Sequence, residues 1–180
     1  MKKTNKTRYA ILGMLFSKPR SGYQIRQFML DSTAHFWQET DASIYPMLKK
    51  LEVEGMVTSR SEFVGKRERQ IFEITQAGKN DFLAWMALPA EKENHRNELL
   101  LKLFFGATAT REEMIKHLKT HMAKCQETKE TFKRIQTDVL WQVSDNHPHK
   151  TFWMIALKNG MVHVAAELGW VQECIKLLEK

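Results

Sequence analysis

The chain has 180 residues, which is enough for one medium-sized domain or two small ones. Its 43% of hydrophobic residues can form a packed core, and this excludes an intrinsically disordered chain. The net charge is +7, and the excess lies mainly in the first half, because residues 1–86 carry 14 Lys and Arg against 9 Asp and Glu. The charge therefore favours an anionic partner for the N-terminal half.

Neither the cysteines nor the apolar segments indicate secretion or a membrane span. Cys125 and Cys174 form no close pair and no metal-binding spacing, so a reduced, cytoplasmic protein is expected. The apolar run from Tyr9 to Phe16 is interrupted by Gly13, is too short to cross a bilayer and precedes no signal-peptide cleavage site. The sequence thus predicts a soluble chain without a membrane partner.

Three helices are predicted in the first third of the chain. The first covers roughly residues 4–16, and Ser21 can cap the second. The third should begin near Asp41–Ser43, because Pro46 lacks an N–H and is tolerated best in a first turn, and Gly55 suits its C-terminal end. Apolar residues at helical spacing mark the buried faces: Tyr9, Leu12 and Phe16, then Ile25, Phe28 and Met29, then Met47, Leu48 and Leu51.

After the third helix, the spacing of apolar residues changes from the helical period to the alternation that is typical of strands. Two strands are predicted at Met56–Phe63 and Arg69–Thr75, joined by a turn at residues 64–67. Thr75 can cap a fourth helix, which Pro89 ends. Three helices, a β-hairpin and a helix are the element order of a winged helix-turn-helix, so residues 1–88 are predicted to form such a domain.

A charged segment with a proline, residues 87–97, marks a domain boundary. Helices predicted at 97–106, 111–143 and 150–178 form a second domain over residues 95–180. The two long helices carry apolar stripes: Leu118, Cys125, Phe132 and Val139, and then Trp153, Leu157, Gly160, Val164, Leu168, Val171, Ile175 and Leu178. One small domain is not expected to bury both stripes, so a second copy of the chain should cover them. The fold class is mainly α (α+β), a winged helix-turn-helix followed by a long-helix dimerisation domain.

The third helix has the division of a recognition helix, with an apolar back and polar or aromatic residues near its start. Its candidates for contact with double-stranded DNA are Ser43 and Tyr45, predicted in the first turn, and Lys49 and Lys50. The hairpin tip adds Lys66, Arg67 and Arg69, and a basic N-terminal arm adds Lys2, Lys3, Lys6 and Arg8. Wing and arm are expected to hold phosphates, which position a protein on DNA without reading its sequence.

Other interpretations of these residues stay open. A basic hairpin tip is often only a solvated turn, Tyr45 alone could be half-buried packing, and some winged helices bind proteins instead of DNA. Two histidine pairs lack a third ligand and so do not predict a metal site: His117 with His121, and His147 with His149. The sequence has no recognisable nucleophile–base motif and no phosphate-binding glycine loop, so neither an enzyme nor a cofactor is expected.

Four segments of the first half carry a resemblance to a known family. They are Tyr9-Ala10-Ile11-Leu12-Gly13-Met14-Leu15, Ser21-Gly22-Tyr23-Gln24-Ile25, Ser43-Ile44-Tyr45-Pro46-Met47-Leu48-Lys49-Lys50-Leu51-Glu52-Val53-Glu54-Gly55 and Phe72-Glu73-Ile74-Thr75-Gln76-Ala77-Gly78. On these residues the chain resembles the PadR family of bacterial transcriptional regulators. The second half resembles the helical domain of its longer members, the phenolic-acid-regulator and AphA-like type, on residues 96–103 and Trp170. Ala42 stands where the family usually has Gly, and Asn97 where Asp is common.

The resemblance implies a homodimer with Tyr45 at the DNA and repression that a small molecule relieves. For a small aromatic or phenolic effector, the sequence offers Phe36 and Trp37 before the recognition helix, and Trp153 and His163 in the last helix. These residues are expected to form a site where the two domains meet. The alternatives are an AphA-like activator without a small-molecule ligand and a winged-helix module for protein interaction.

Overall fold

A computed structural model gives the fold, and it describes residues 5–65, 67–92 and 96–180. The chain divides into two compact units, residues 1–92 and residues 93–180. The first unit combines helices with a small sheet, whereas the described elements of the second are all helical. Within the described ranges, no helix combines the length and the apolar character that a membrane span requires.

The N-terminal unit packs its helices around an antiparallel sheet. Its helices are α1 (Lys6–Phe16), α2 (Gly22–Ser32), α3 (Asp41–Val53) and α4 (Gln76–Met86). Its strands are β1 (Arg20–Ser21), β2 (Val57–Val64) and β3 (Arg67–Ile74), in the sheet order β1-β3-β2. Strands β2 and β3 pair in register from Val57 with Ile74 to Val64 with Arg67. The predicted winged helix-turn-helix is therefore confirmed.

One apolar cluster holds this unit together. Its buried members come from α1, α2, α3 and the sheet: Ile11, Leu12, Leu15, Ile25, Met29, Ile44, Met47, Leu48, Leu51, Val57, Phe72 and Ile74. Burying one large aliphatic side chain contributes roughly 1.5–3 kcal/mol, so the cluster accounts for the docking of α1, α2 and α3 on the sheet. Because α3 enters the cluster by one face only, its opposite face is directed outward.

Local hydrogen bonds fix the start of α2 and the end of α3. The Gln24 N–H donates to Ser21 Oγ (3.2 Å) and the Ser21 N–H donates to Gln24 Oε1 (2.9 Å), which is a reciprocal capping box. After α3, Gly55 adopts a φ of +71° and the Met56 N–H donates to the Leu51 carbonyl at 2.8 Å. This C-terminal motif favours glycine in the left-handed position. The sequence predictions at Ser21 and Gly55 are confirmed.

Three details of the N-terminal unit differ from the sequence prediction. Pro46 is the sixth residue of α3, so it lies beyond the first turn and removes one internal helical hydrogen bond. Tyr45 is likewise in the second turn and not the first. Strand β1 was not predicted, because two residues are too few to show an alternating pattern. Strand β1 pairs with β3 through Ser21 and Ile71, and the Ile71 side chain is buried.

A buried arginine, Arg20, joins β1 to the helices around it. Its Nη1 donates to the Met14 carbonyl and to Ser17 Oγ (3.3 Å) at the end of α1, and its guanidinium lies 4.7 Å from the centre of the Phe28 ring. Burial lowers the pKa of Arg20, and the partial negative charge of a helix C-terminus offsets this cost. One of the basic residues of this half is therefore a structural cap.

The C-terminal unit consists of helices and short helical turns in its described part. Its elements are α5 (Glu98–Phe104), a 3-10 turn (Gly106–Thr108), α6 (Arg111–Arg134), a π turn (Ile135–Val139), a second 3-10 turn (Leu140–Gln142) and α7 (Lys150–Leu178). The helix predicted over 111–143 thus loses its α-helical geometry after Arg134. Asn97 caps α5, since its side chain accepts a hydrogen bond from the Leu100 N–H at 3.0 Å.

The apolar stripes of α6 and α7 face each other within one chain. Two clusters fill the seam between the helices: Leu118, Val171 and Ile175 in one, and Cys125, Phe132 and Val164 in the other. An added Cβ at Gly160 would lie 2.6 Å from Phe132 Cζ, so glycine there permits the close approach. The expectation that only a second copy can cover the stripes is therefore wrong for Val164, Val171 and Ile175 of α7, because they are buried against α6 in the same chain. Trp153, near the start of the same stripe, is 37% exposed.

Candidate nucleic-acid interface

One face of α3 is apolar and buried, and the other is polar and exposed, as a recognition helix requires. The side chains at its back are fully withdrawn from solvent: Ile44, Leu48 and Leu51. On the other face Tyr45 is 44% exposed, and Lys49 and Lys50 are exposed. Lys50 Nζ lies 3.9 Å from the Glu54 carboxylate, whereas Lys49 forms no ion pair with any described residue. Tyr45 and Lys49 are one helical turn apart, so the helix presents a phenol and an ammonium on one side.

Ser43, a predicted DNA contact, takes part in the N-terminal cap of α3. Its hydroxyl accepts a hydrogen bond from the Thr40 N–H (3.0 Å) and donates one to Glu39 Oε2 (2.6 Å). The other oxygen of Glu39 accepts from the Trp37 indole N–H at 3.0 Å. Ser43 therefore stabilises the start of the helix, and the network links Trp37 to the recognition helix. The sequence did not predict the role of Glu39, because that role depends on its hydrogen bonds with both Trp37 and Ser43.

The wing consists of β2, β3 and their turn. Two of its arginines, Arg60 and Arg69, form ion pairs with carboxylates of the wing itself. Lys66 lies outside the described residues, and Arg67 begins β3. Arg69 faces Glu62 across the hairpin, with 3.4 Å between Nη2 and Oε2, and Arg60 lies 3.0 Å from the same carboxylate. The hydrogen bonds from Arg60 and then from Arg69 lower the pKa of Glu62. Glu62 thus competes with DNA phosphates for two guanidinium groups.

Replacing Glu62 with glutamine is expected to strengthen binding to random DNA about three- to tenfold at low salt, because Arg69 becomes available to phosphates and Arg60 keeps only its contact with Glu73 at 3.2 Å. The salt dependence should become steeper for the same reason. Fluorescence anisotropy at several salt concentrations measures both effects. Glu68→Gln is the matched control, since it removes one charge from the same wing at a residue without an ion pair among the described residues. Equal gains in the two variants would show that net charge alone acts.

The basic arm is engaged with carboxylates of its own unit. Lys6 Nζ lies 3.4 Å from Glu91, and Arg8 forms ion pairs with Glu54 and, at 2.7 Å, with Asp81. Arg8 therefore joins α1 to the end of α3 and to α4, which is a structural role and not the predicted phosphate contact. Two further arm residues lie outside the described ranges: Lys2 and Lys3.

The candidate effector residues are divided between the two units. In the first, Phe36 is 65% exposed and Trp37 is half-buried. In the second, Trp153 near the start of α7 contacts two imidazole rings at centroid separations of 4.9 and 5.8 Å, those of His147 and His149. His163 is exposed on the same helix. A single site that contains all four candidates stays a prediction.

The two thiols and His121 have local packing roles. Burial, reinforced by Glu167, raises the pKa of Cys125, and burial also raises the pKa of Cys174, so both thiols are protonated near neutral pH. His121 Nε2 lies 3.0 Å from Glu167 Oε2 across the seam. Among residues 5–65, 67–92 and 96–180, no three His, Cys, Asp or Glu side chains form a group that could hold a metal ion.

Two family profiles match the chain, one for each unit. Residues 11–84 match the profile "Transcriptional regulator PadR-like family", and residues 95–179 match "Virulence activator alpha C-term". The negative transcriptional regulator PadR of Bacillus subtilis (strain 168) is 33% identical over 121 residues, which are 66% of this chain and 66% of that protein. The chain belongs to the PadR-like family of transcriptional regulators. The aligned part is slightly less than two thirds of the Bacillus subtilis protein's length.

Solved structures of PadR-like regulators share the fold of this chain. Bacillus subtilis PadR in complex with operator DNA has a TM-score of 0.88 at 23% identity, covering 98% of this chain and 99% of that one. The same protein in complex with p-coumaric acid has a TM-score of 0.79 at 22% identity, covering 96% and 98%. The virulence activator AphA of Vibrio cholerae has a TM-score of 0.75 at 20% identity, covering 96% and 98%. Both halves of the PadR-like architecture are therefore present.

Proposed function

We propose that this chain is a homodimeric repressor that binds a near-palindromic promoter site through α3 and the wing. The observation that carries the proposal is the outer face of α3, where Tyr45 and Lys49 stand over a fully buried back. The Bacillus subtilis relative is a negative transcriptional regulator, and its structure with operator DNA has the same fold. A regulator of this kind acts on cytoplasmic DNA, without catalytic activity.

A binding titration of the full-length protein against the DNA upstream of its own gene tests the proposal. A two-fold dimer presents two recognition helices, so the half-sites should be about one helical turn apart or a small multiple of that distance. Affinity for the site should exceed affinity for random DNA roughly 10³-fold or more, and both should fall as salt rises. Binding without sequence preference or salt dependence would contradict the proposal and favour a protein-interaction module.

The dimer is proposed to use the outer surface of α5. Leu103 anchors this helix to the cluster that contains Leu118, and no residue of α5 is buried. The exposed apolar residues of α5 are Leu100, Leu101 and Phe104, of which Phe104 is 81% exposed, and Phe105 follows at its C-terminal cap. Contiguous apolar surface of this kind marks an interaction site, and a self-complementary patch gives a two-fold dimer. This proposal replaces the interface predicted from the stripe of α7.

Phe104→Asp is expected to weaken the dimer at least about 100-fold, because a two-fold interface would bury two unpaired carboxylates at several kcal/mol. Sedimentation velocity over a concentration series measures the change in monomer fraction. Phe63→Asp is the matched control, since Phe63 is 72% exposed on the wing, and this variant should stay dimeric. A Phe104→Asp protein that dimerises like the wild type would place the interface elsewhere.

The proposed effector is a small aromatic acid. The solved complex of Bacillus subtilis PadR with p-coumaric acid supports this class, as do the aromatic residues Phe36, Trp37 and Trp153 and the imidazole of His163. A ligand needs only to bind the DNA-free form better in order to release the DNA. Tryptophan fluorescence and DNA release should therefore respond to hydroxycinnamates in a panel that also contains other aromatic acids and cationic drugs. If no compound in the panel changes the fluorescence or releases DNA, the effector proposal is contradicted and the DNA-binding proposal is unaffected.

An activator is the second candidate function. It is favoured by the match of residues 95–179 to the virulence-activator profile and by the fold shared with AphA. A promoter fusion in cells with and without the gene separates the two functions. A repressor should lower expression from its target promoter, whereas an activator should raise it.

A further inference from the structure

The ring of Tyr45 lies against the first residue of α2, and the contact leaves no room for a side chain there. An added Cβ at Gly22 would lie 2.6 Å from Tyr45 Cε1, 3.0 Å from Cζ and 3.2 Å from Cδ1. Carbon atoms in optimal contact are about 3.5–4.0 Å apart. Any side chain at position 22 would therefore collide with the aromatic ring that the proposed function assigns to DNA.

Backbone conformation does not require glycine at this position. Among the described residues, the glycines with positive φ are Gly55 and Gly65, so Gly22 has a backbone that other residues can adopt. It is also the first residue of a helix, whereas the characteristic helix position of glycine follows the C-terminus. What Gly22 provides is space beside Tyr45.

The start of α2 is held too firmly to yield to a larger residue. The capping box between Ser21 and Gln24 fixes the first turn, and Ser21 also pairs with Ile71 in the sheet. The Tyr45 ring is 44% exposed and can rotate away from α2 without emptying the core. A Cβ at position 22 would therefore displace the ring and leave the backbone in place.

We propose that Gly22 is a positioning residue for Tyr45: the absence of a Cβ lets the phenol ring rest on α2 in one orientation toward the DNA. This inference rests on the proposed function of Tyr45 and adds the residue that sets its geometry. A Cβ would push the ring edge away by roughly 1 Å. Hydrogen bonds weaken steeply with such displacements, so recognition of the site falls while the fold is kept.

The test compares Gly22→Ala, Tyr45→Ala and the double variant on operator and random DNA. Gly22→Ala should lower operator affinity about tenfold or more and change random-DNA affinity by about twofold at most, with little change in thermal midpoint. In the Tyr45→Ala background it should have no further effect, because the displaced ring is gone. Gly13→Ala is the matched control, since its Cβ would lie 3.1 Å from Phe82 Cε2 in the same unit. That variant should keep the ratio of operator to random-DNA affinity.

A structural readout accompanies the affinities. The chain has 3 tyrosines, so ring-selective NMR labelling resolves Tyr45 in the free protein. Its ring resonances should shift in Gly22→Ala and stay unchanged in Gly13→Ala. Unchanged operator affinity or unchanged Tyr45 resonances in Gly22→Ala would overturn the inference, as would an equal loss in the two Tyr45 backgrounds. If the wild type shows no sequence preference at all, the proposed function fails first and this inference falls with it.

Discussion

Replacing Tyr45 with alanine is expected to reduce affinity for operator DNA roughly 10²-fold or more, while affinity for random DNA changes by about twofold at most. One good base contact is worth about 1–3 kcal/mol, and a two-fold dimer loses two of them. Random DNA is held through its phosphates by cations, and this substitution removes none. The ring is 44% exposed, so its loss should leave the fold intact.

Competition between labelled operator and unlabelled random duplex at fixed salt gives the specificity ratio directly. Tyr45→Phe separates the hydroxyl from the ring, because it keeps the contact with Gly22 and removes only the hydrogen-bonding group. Lys49→Ala provides a comparison on the same face of α3, and it should weaken both kinds of binding and flatten the salt dependence. Equal losses on operator and random DNA in Tyr45→Ala would show that Tyr45 does not read the sequence.

The sequence predicted those features of the fold that depend only on residues close together in the chain. A cap such as Ser21 needs only the residues that follow it, and the left-handed backbone at Gly55 needs only the end of one helix. The uninterrupted stripe of the last helix predicted its extent at 150–178, which the structure gives as Lys150–Leu178. The exposed face of α3 followed from the same period, because buried and exposed residues of a helix recur every three to four positions.

The pairing of the charged side chains could not be predicted in this way, because each of these ion pairs joins residues that are distant in sequence. The sequence predicts a phosphate contact at Arg8, but its partners Glu54 and Asp81 are 46 and 73 residues away. Arg69 and Glu62 come together only when the hairpin fixes their register. A sequence therefore shows how much basic charge is present but not how much of it is available to DNA.

The surface that covers the helix stripes could not be predicted, for a related reason. A stripe shows that one face of a helix is buried, but it does not show which surface covers that face. In this chain α6 and α7 cover each other, and Gly160 allows Phe132 to approach closely. Exposed apolar residues in a short helix, such as Phe104, give no periodic signal strong enough to compete with that stripe. Only the folded chain shows which apolar surface stays open.

Gly78→Ala is expected to destabilise the N-terminal unit by about 3 kcal/mol, the upper part of the range for overpacked positions. An added Cβ would overlap the Met56 carbonyl oxygen and lie 2.9 Å from Ile74 Cγ1 and 3.1 Å from the Met56 carbonyl carbon. That carbonyl accepts hydrogen bonds from the Thr75 N–H (3.0 Å) and from Thr75 Oγ1 (3.1 Å). Because the obstructing atoms are backbone, relief requires α4 to move away from the start of β2 and to give up these bonds.

The loss of stability should appear as a fall of about 12–24 °C in the unfolding midpoint of the N-terminal unit, measured by far-UV circular dichroism of the full-length protein. Gly169→Ala is the matched control, because nothing lies within 4 Å of its added Cβ and the residue is exposed on α7. Alanine in an exposed helix interior is favoured over glycine by about 1 kcal/mol, so this variant should be slightly more stable than the wild type. A Gly78→Ala protein that unfolds at the wild-type temperature would mean that α4 approaches Met56 less closely than the structure shows.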